Sequence, residues 1–410
     1  MSEAYDHRLL AEEMDIFFIN EQIGAGLPVW LPNGVAIRDE LEAFVKELER
    51  RAGYQRVVSP HVAKASLYER SGHLQHYKNE MFPPMKSDDG GEEYYLRPMN
   101  CPHHHKVFSS SPRSYRQLPL RIAEYGQVYR FEPSGSLRGL GRVRGLCQND
   151  AHIYVQPERA FAEIVEVLRL HEQCYLALGL SDYRYRLSKH DPKRPDDFQG
   201  GSAKWLECEE ILRRALVNLG LSFFESEGEA AFYGPKIDIQ MKLGGGEESM
   251  SSVQLDFVSG ERFDLQYNDS SSQKRRPWII HRAPLGSHER FVAMLLEHFQ
   301  GRLAGWLAPV QLALIPVSEN EVEFVSRLQN DAMNAGVRAV VHDGAGSVAK
   351  RIQRAHRSRP FAKVLIGVKD INGDSFSLQL RDQVLRVGIS ELIPKLQEFL
   401  PRPCIHQGRK

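Results

Sequence analysis

Arg130 and Glu132 close a strand-like run, Glu124-Tyr-Gly-Gln-Val-Tyr-Arg-Phe-Glu132. A Gly/Ser/Arg-rich loop, Ser134-Gly-Ser-Leu-Arg-Gly-Leu-Gly-Arg-Val-Arg-Gly145, joins it to a second run, Leu146–Val155. Two antiparallel strands around a basic loop suit phosphate handling. A spacing of two on a strand puts both side chains on one face. There the guanidinium suits a phosphate oxygen and the carboxylate suits an amine donor, and ATP carries both groups. Alone, an Arg-x-Glu pair is ordinarily a pair of solvated surface charges on a hairpin. The surroundings decide between the two.

Seven segments in order carry a resemblance: Arg97-Pro-Met-Asn-Cys-Pro102, Arg130-Phe-Glu-Pro-Ser-Gly-Ser-Leu137, Arg142-Val-Arg-Gly145, Asp150-Ala-His152, Phe232-Tyr-Gly-Pro-Lys236, Val253-Gln-Leu-Asp-Phe257 and His281-Arg-Ala-Pro-Leu-Gly-Ser-His-Glu-Arg290. Together they resemble the class II aminoacyl-tRNA synthetases and, among these, the threonyl-tRNA synthetase family. The likeness runs from Asp6-His-Arg8 through Trp306-Leu-Ala-Pro-Val-Gln311 into a smaller C-terminal domain. It implies an enzyme that activates threonine with Mg²⁺ and ATP to threonyl-adenylate and transfers it to tRNA(Thr).

The resemblance also assigns residues. Arg130 would grip the α-phosphate and the substrate carboxylate, and Glu132 would accept from the adenine amine. Arg142, Leu146 and Ser249 would line the nucleotide, and Arg290 would meet the triphosphate and the adenine face. Cys101, His152 and His281 fall on the ligands of one zinc per chain, although their spacing is not a compact zinc signature. Cys101-Pro-His-His-His105 offers local decoys, and a lone strand histidine is more often a satisfied core residue. Three protein ligands leave zinc open to substrate, which threonine can chelate through its amine and hydroxyl and valine cannot. Asp150 matches the carboxylate that accepts from that hydroxyl, and Met99, Gln148, Tyr233, Lys236, Gln254 and Ala283 match the rest of the substrate pocket. His73 matches the histidine implicated in handing the acyl group to the tRNA ribose, a solvated loop histidine being the alternative.

The chain departs from the family pattern at three places. Leu146 replaces an aromatic expected to stack on adenine, and Ser249 replaces a glutamine near the ribose. Ser377-Leu-Gln-Leu-Arg-Asp-Gln383 replaces an arginine-rich strand, which weakens anticodon reading. The resemblance is to a form of the family without the N-terminal editing region, which makes a separate trans-editing protein a candidate partner. Two other readings stand beside the first: a paralogue loading a non-tRNA acceptor such as a carrier protein, and a non-catalytic RNA-binding or regulatory paralogue.

These residues need an α+β scaffold: a class II antiparallel sheet flanked by helices, followed by a C-terminal α/β domain of the anticodon-binding type. Strand-like segments recur at 94–97, 124–132, 146–155, 183–188, 233–243, 251–258 and 278–282, with helical periodicity at 8–22, 36–51, 157–178 and 203–219. From Gln311 strands alternate with helices, so the expected division is 1–304 and 305–410. By resemblance, the helix-strand segment 36–60 forms a homodimer interface. The 410 residues suffice for two or three cored domains. A formal net charge of zero leaves any tRNA contact to local patches such as Arg138–Arg144 and Lys350–Arg359. Five irregularly spaced cysteines (Cys101, Cys147, Cys174, Cys208 and Cys404) fit a reducing compartment. With neither signal peptide nor transmembrane run, a cytoplasmic enzyme without membrane attachment is expected.

Overall fold

A computed structural model describes residues 6–87 and 90–403; Cys404 lies outside them. Among these residues the chain forms two compact units. One draws on the chain up to Asn20, on Pro28–Val45 and on the chain from Val292 onward; the other takes Glu21–Leu27 and Lys46–Phe291.

The second unit is built on an eight-stranded sheet: β1 (Gln55–Arg56), β2 (Leu120–Tyr129), β3 (Gly145–Val155), β4 (Tyr183–Lys189), β5 (Phe223–Glu227), β6 (Lys236–Leu243), β7 (Gly246–Asp256) and β8 (Trp278–Ala283), in the order β5-β4-β6-β7-β8-β3-β2-β1. Only the outer pairs β5/β4 and β1/β2 are parallel; the six central strands run antiparallel, as the class II reading requires. β3 and β8 are almost wholly buried, which suits their Val, Ile, Tyr and Trp content. Helix α4 (Ala160–Leu178) buries Ile164, Val167, Leu168, His171, Cys174, Tyr175 and Leu178, a stripe at helical spacing, and stops at Gly179, which takes the left-handed φ of 73° that favours glycine. Leu120, Ile122, Tyr154 and Ile279 form a core with Phe108, Phe263, Leu265 and Tyr267.

Several expected elements are redrawn. The periodicity at 8–22 yields only α1 (His7–Glu13), capped by the Asp6 side chain on the Arg8 amide. Asp15 then turns with a φ of 52°, and Phe17–Phe18 pairs with Val29–Trp30, because the run Ile16-Phe-Phe-Ile19 prefers an extended backbone. α2 (Pro32–Arg51) starts earlier than expected and buries Ile37, Leu41, Phe44, Val45 and Leu48. The strand part of the 36–60 segment shrinks to β1, since Ser59 turns away to bond Glu124. β2 ends at Tyr129, so Arg130 and Glu132 lie past the strand and the shared-face argument does not hold for them. Instead the Glu132 amide bonds the Arg130 carbonyl at 2.8 Å. Helix α3 (Cys101–Phe108) and strand β5 had no clear periodic signal. α5 (Ser202–Asn218) falls as expected.

The other unit carries the strand-helix alternation read from residue 311. Its sheet comprises β9 (Leu312–Pro316), β10 (Ala339–Val341), β11 (Ala362–Ile366), β12 (Ser375–Gln379) and β13 (Val384–Gly388), in the order β10-β9-β11-β12-β13. The first three are parallel. Leu312, Leu314, Val364, Ile366, Phe376 and Leu378 pack against Val325 and Leu328 of α7 (Val322–Asn334) and Leu392 and Leu396 of α9 (Leu392–Gln397). Between them in sequence lies α8 (Val348–Arg357). α6 (His288–His298) carries the chain from one unit into the other. No described helix is long and apolar enough to cross a membrane.

Candidate active site

Strand register assembles the site. Lys236 on β6 faces Gln254 on β7, Gln254 faces His281 on β8, and His281 faces His152 on β3. Directly opposed residues point to the same side, so four residues scattered over 130 positions of sequence become one row. Asp150 sits two positions before His152, on the same face. Cys101 comes from outside the sheet, as the first residue of α3. Its Sγ and one nitrogen from each of His152 and His281 lie within 4.8 Å of one another, all three buried. One thiol and two imidazoles form a donor set that zinc favours.

Each of these groups is oriented from behind. His281 Nε2 lies 3.0 Å from Asp256 Oδ2, while Asp256 Oδ1 accepts from the amides of Val258 at 2.9 Å and Ser259 at 2.8 Å. His152 Nδ1 lies 2.8 Å from His104 Nδ1, and His104 Nε2 lies 3.0 Å from Glu124 Oε2. Glu124 also accepts from the Ser59 amide at 3.0 Å, the Ser59 hydroxyl at 2.7 Å and Arg97 Nη2 at 3.2 Å. Tyr233 stacks on His281 with centroids 5.1 Å apart, and its hydroxyl donates to Gln254 Oε1 at 2.5 Å. Asp150 Oδ2 accepts from Asn100 Nδ2 at 3.0 Å. Burial, with the charges of Asp150 and Asp256, pushes the Cys101 thiol well above its usual range. Burial and the neighbouring His281 push His152 well below the usual imidazole range. Both therefore favour their neutral forms in the metal-free protein.

The end at which the resemblance implies a nucleotide is cationic. Arg290, near the start of α6, donates through Nε to the Gly141 carbonyl and through Nη1 to the Ser249 carbonyl, both at 3.0 Å. Burial lowers its affinity for the proton, Glu248 opposes this, and the charges of Arg130 and Arg142 lower it further, so three guanidiniums share one field. Glu132 is ion-paired with Arg142 at 2.9 Å. Ser249 accepts from Gln240 Nε2 at 2.7 Å. Leu146 packs with Val128 and Val143.

The remaining residues fall close by or are linked through register. Gln148 opposes Gly126 across β3 and β2 and bridges to Ser287, and Ala283 opposes Ser252. Lys236 is held by Asp238 at 3.0 Å. His73 is not a solvated loop residue: only 2% exposed, it begins a short helix, with Nδ1 2.6 Å from Ser71 Oγ and Nε2 3.2 Å from Met99 Sδ. Burial, aided by the charge of Arg130, pushes it down to about 3. The sequence reading missed Asn100, His104, Glu124 and Asp256. Gly126 was the available signal, since a glycine inside a strand marks a close approach: a Cβ there would lie 2.3 Å from Asn100 Oδ1.

Residues 77–299 match the family described as tRNA synthetase class II core domain (G, H, P, S and T), and residues 311–399 match the anticodon binding domain. The structure also superposes on the RNA binding domain of threonyl-tRNA synthetase from Cryptosporidium parvum Iowa II. That match has a TM-score of 0.88 and 33% identity and covers 97% of this chain and 99% of that one. The chain belongs to the class II threonyl-tRNA synthetase family. Threonine–tRNA ligases of Pelodictyon phaeoclathratiforme and Streptococcus sanguinis are 42% and 43% identical over 399 and 376 residues, covering 96% and 91% of this chain. They are longer proteins: the chain spans 61% and 58% of them. Membership in the threonyl-tRNA synthetase family fits the antiparallel core, the separate C-terminal sheet and the row of residues that register builds.

Proposed function

We propose that the chain activates threonine with Mg²⁺ and ATP to threonyl-adenylate and transfers the threonyl group to tRNA(Thr). The observation that carries this reading is the buried Cys101, His152 and His281 cluster with Asp150 at the next same-face position of β3. These three side chains would hold a zinc ion, which would supply open coordination that the amine and hydroxyl of threonine could use and the methyl groups of valine could not. Asp150, steadied by Asn100, accepts a hydrogen bond from the hydroxyl. Arg130 orients the substrate carboxylate toward the α-phosphate, and Arg142 and Arg290 hold the remaining negative charge of the nucleotide. Tyr233 and Gln254, bonded to each other, wall the amino-acid side. His73, uncharged at neutral pH and a weak base because burial pushes it down to about 3, orients the ribose hydroxyl for acyl transfer.

In this reading residues 1–304 act as the aminoacylation domain and 305–410 as the anticodon-binding type, with 36–60 at a homodimer interface. A cavity of about 490 Å³ supports an RNA acceptor. Its lining includes Arg302, Arg357, Arg359, Lys363 and Arg381 but one carboxylate, Glu13, which Arg359 already holds at 3.0 Å. Such a surplus of cations suits phosphates and offsets the arginine-poor strand at 377–383. The test is threonine-dependent exchange of pyrophosphate into ATP, followed by charging of total tRNA with labelled threonine. Exchange without charging would shift the acceptor to another molecule; absence of exchange would overturn the reading.

A further inference from the structure

His104 sits in the histidine run beside Cys101 and is not among the three grouped metal ligands. It is completely buried, and both of its ring nitrogens are engaged: Nε2 with Glu124 Oε2 at 3.0 Å and Nδ1 with His152 Nδ1 at 2.8 Å. A carboxylate can only accept, so the His104 proton lies on Nε2. In the neutral ring Nδ1 is then an acceptor, and the hydrogen bond to His152 is made by a proton on His152 Nδ1. That leaves a lone pair on His152 Nε2. If the chain of protons ran the other way, with a second proton on His104, His152 would carry its proton on Nε2 and could not bind a metal through that atom.

We infer that Glu124 and His104 are positioning residues that fix His152 in the Nδ1-protonated tautomer and so present its Nε2 to the metal. The anchor is rigid. Glu124 is itself held by the Ser59 amide and hydroxyl and by Arg97, whose Nε donates to the Gln127 carbonyl at 2.7 Å. His281 is oriented by a different carboxylate and through the other nitrogen, since Asp256 takes its Nε2 proton. The two histidine ligands are therefore opposite tautomers, each specified by a buried acid. Carboxylate support behind metal-binding histidines is a general device; here one of the two reaches its ligand through a second imidazole.

The inference rests on the metal reading above, but its first test does not. Long-range ¹H–¹⁵N spectra of the metal-free, full-length protein near neutral pH should show His152 protonated on Nδ1 and His281 on Nε2. His152 protonated on Nε2 would overturn the proposal. Zinc affinity, measured by chelator competition, should then fall by roughly 10–100-fold in His104→Leu. His104→Gln should keep it within a few-fold, because its amide can accept from His152 and donate to Glu124. Melting temperatures identify variants that fail to fold. A folded His104→Leu protein that binds zinc as tightly as wild type overturns the relay, as does a His104→Gln protein as impaired as His104→Leu. Wild-type protein with the expected tautomers but no zinc uptake would support the relay while removing the metal reading.

Discussion

Asn100 can hold Asp150 only because residue 126 has no side chain. Its carboxamide lies against Gly126, and an added Cβ would come within 2.3–2.5 Å of three of its atoms. Gly126→Ala is therefore expected to displace Asn100 and free Asp150, lowering kcat/KM for threonine by about tenfold, the worth of one hydrogen bond to a charged group. The KM for ATP should hold, and steady-state kinetics separates the two. A second residue-scale expectation concerns Cys101. Its thiol is held above the usual range and so stays protonated at neutral pH. Zinc must displace that proton, so apparent affinity should rise with pH by up to about one log unit per pH unit, with a proton released on binding. Titration with zinc at pH 6.5, 7.0 and 7.5 measures the slope. A flat profile would mean that Cys101 is not a ligand. The Arg-x-Glu pair was visible in sequence, yet its assigned geometry was wrong, because nothing in the residues marks Tyr129 as the last ladder position.

Helix α3 and the short helix that begins at His73 carry three buried histidines whose affinity for the proton is lowered. Burial pushes His73 and His105 down to about 3 and His103 to about 4. Arg130 assists at His73 and Arg97 at His103, whereas Asp256 opposes the shift at His105. Between these values and the ordinary histidine value near 6.5, the unfolded chain binds more protons than the folded one. Stability should thus be greatest above pH 6.5 and fall as pH drops toward 4, by up to about 1.4 kcal/mol per pH unit for each histidine. Urea unfolding of the metal-free protein from pH 7 to 5 should show a falling midpoint; an unchanged midpoint would show that these rings protonate in place. Elements with strong periodicity were legible: α4, α5 and the antiparallel core came from alternation and apolar stripes. What stayed hidden was local or relational. Cys101-Pro-His-His-His-Lys-Val-Phe108 is too short and too polar to announce a helix, and Ile16–Ile19 fits a helical period yet pairs as a strand. The grouping of Cys101, His152 and His281 could not be read from spacing at all, since it exists only once β3 and β8 are in register.

At the scale of the molecule, the proposed function assigns aminoacyl chemistry and RNA contact to separate residue sets. Replacing Arg357 and Arg381 together by Ser should raise the KM for tRNA by about 30-fold in charging assays, at roughly 1 kcal/mol for each lost phosphate contact. Pyrophosphate exchange should not change. A loss of exchange in a folded double variant would tie the cavity to activation instead.

The unit that holds this cavity is assembled from the two ends of the chain. His7 bonds Glu297 at 2.7 Å, Glu13 pairs with Arg359 at 3.0 Å, and Glu40 pairs with Arg338 at 2.8 Å. On the ribosome these partners are separated in time. The first helix leaves the exit tunnel long before Glu297 has been synthesised, while nearly all of the other unit lies in the unbroken stretch Lys46–Phe291 and can collapse as it emerges. Buried Met14, whose Sδ lies beside Gly301, must wait uncovered on that side until translation has passed residue 301. The interval between those two events is when this chain is most exposed to proteases and most in need of a chaperone.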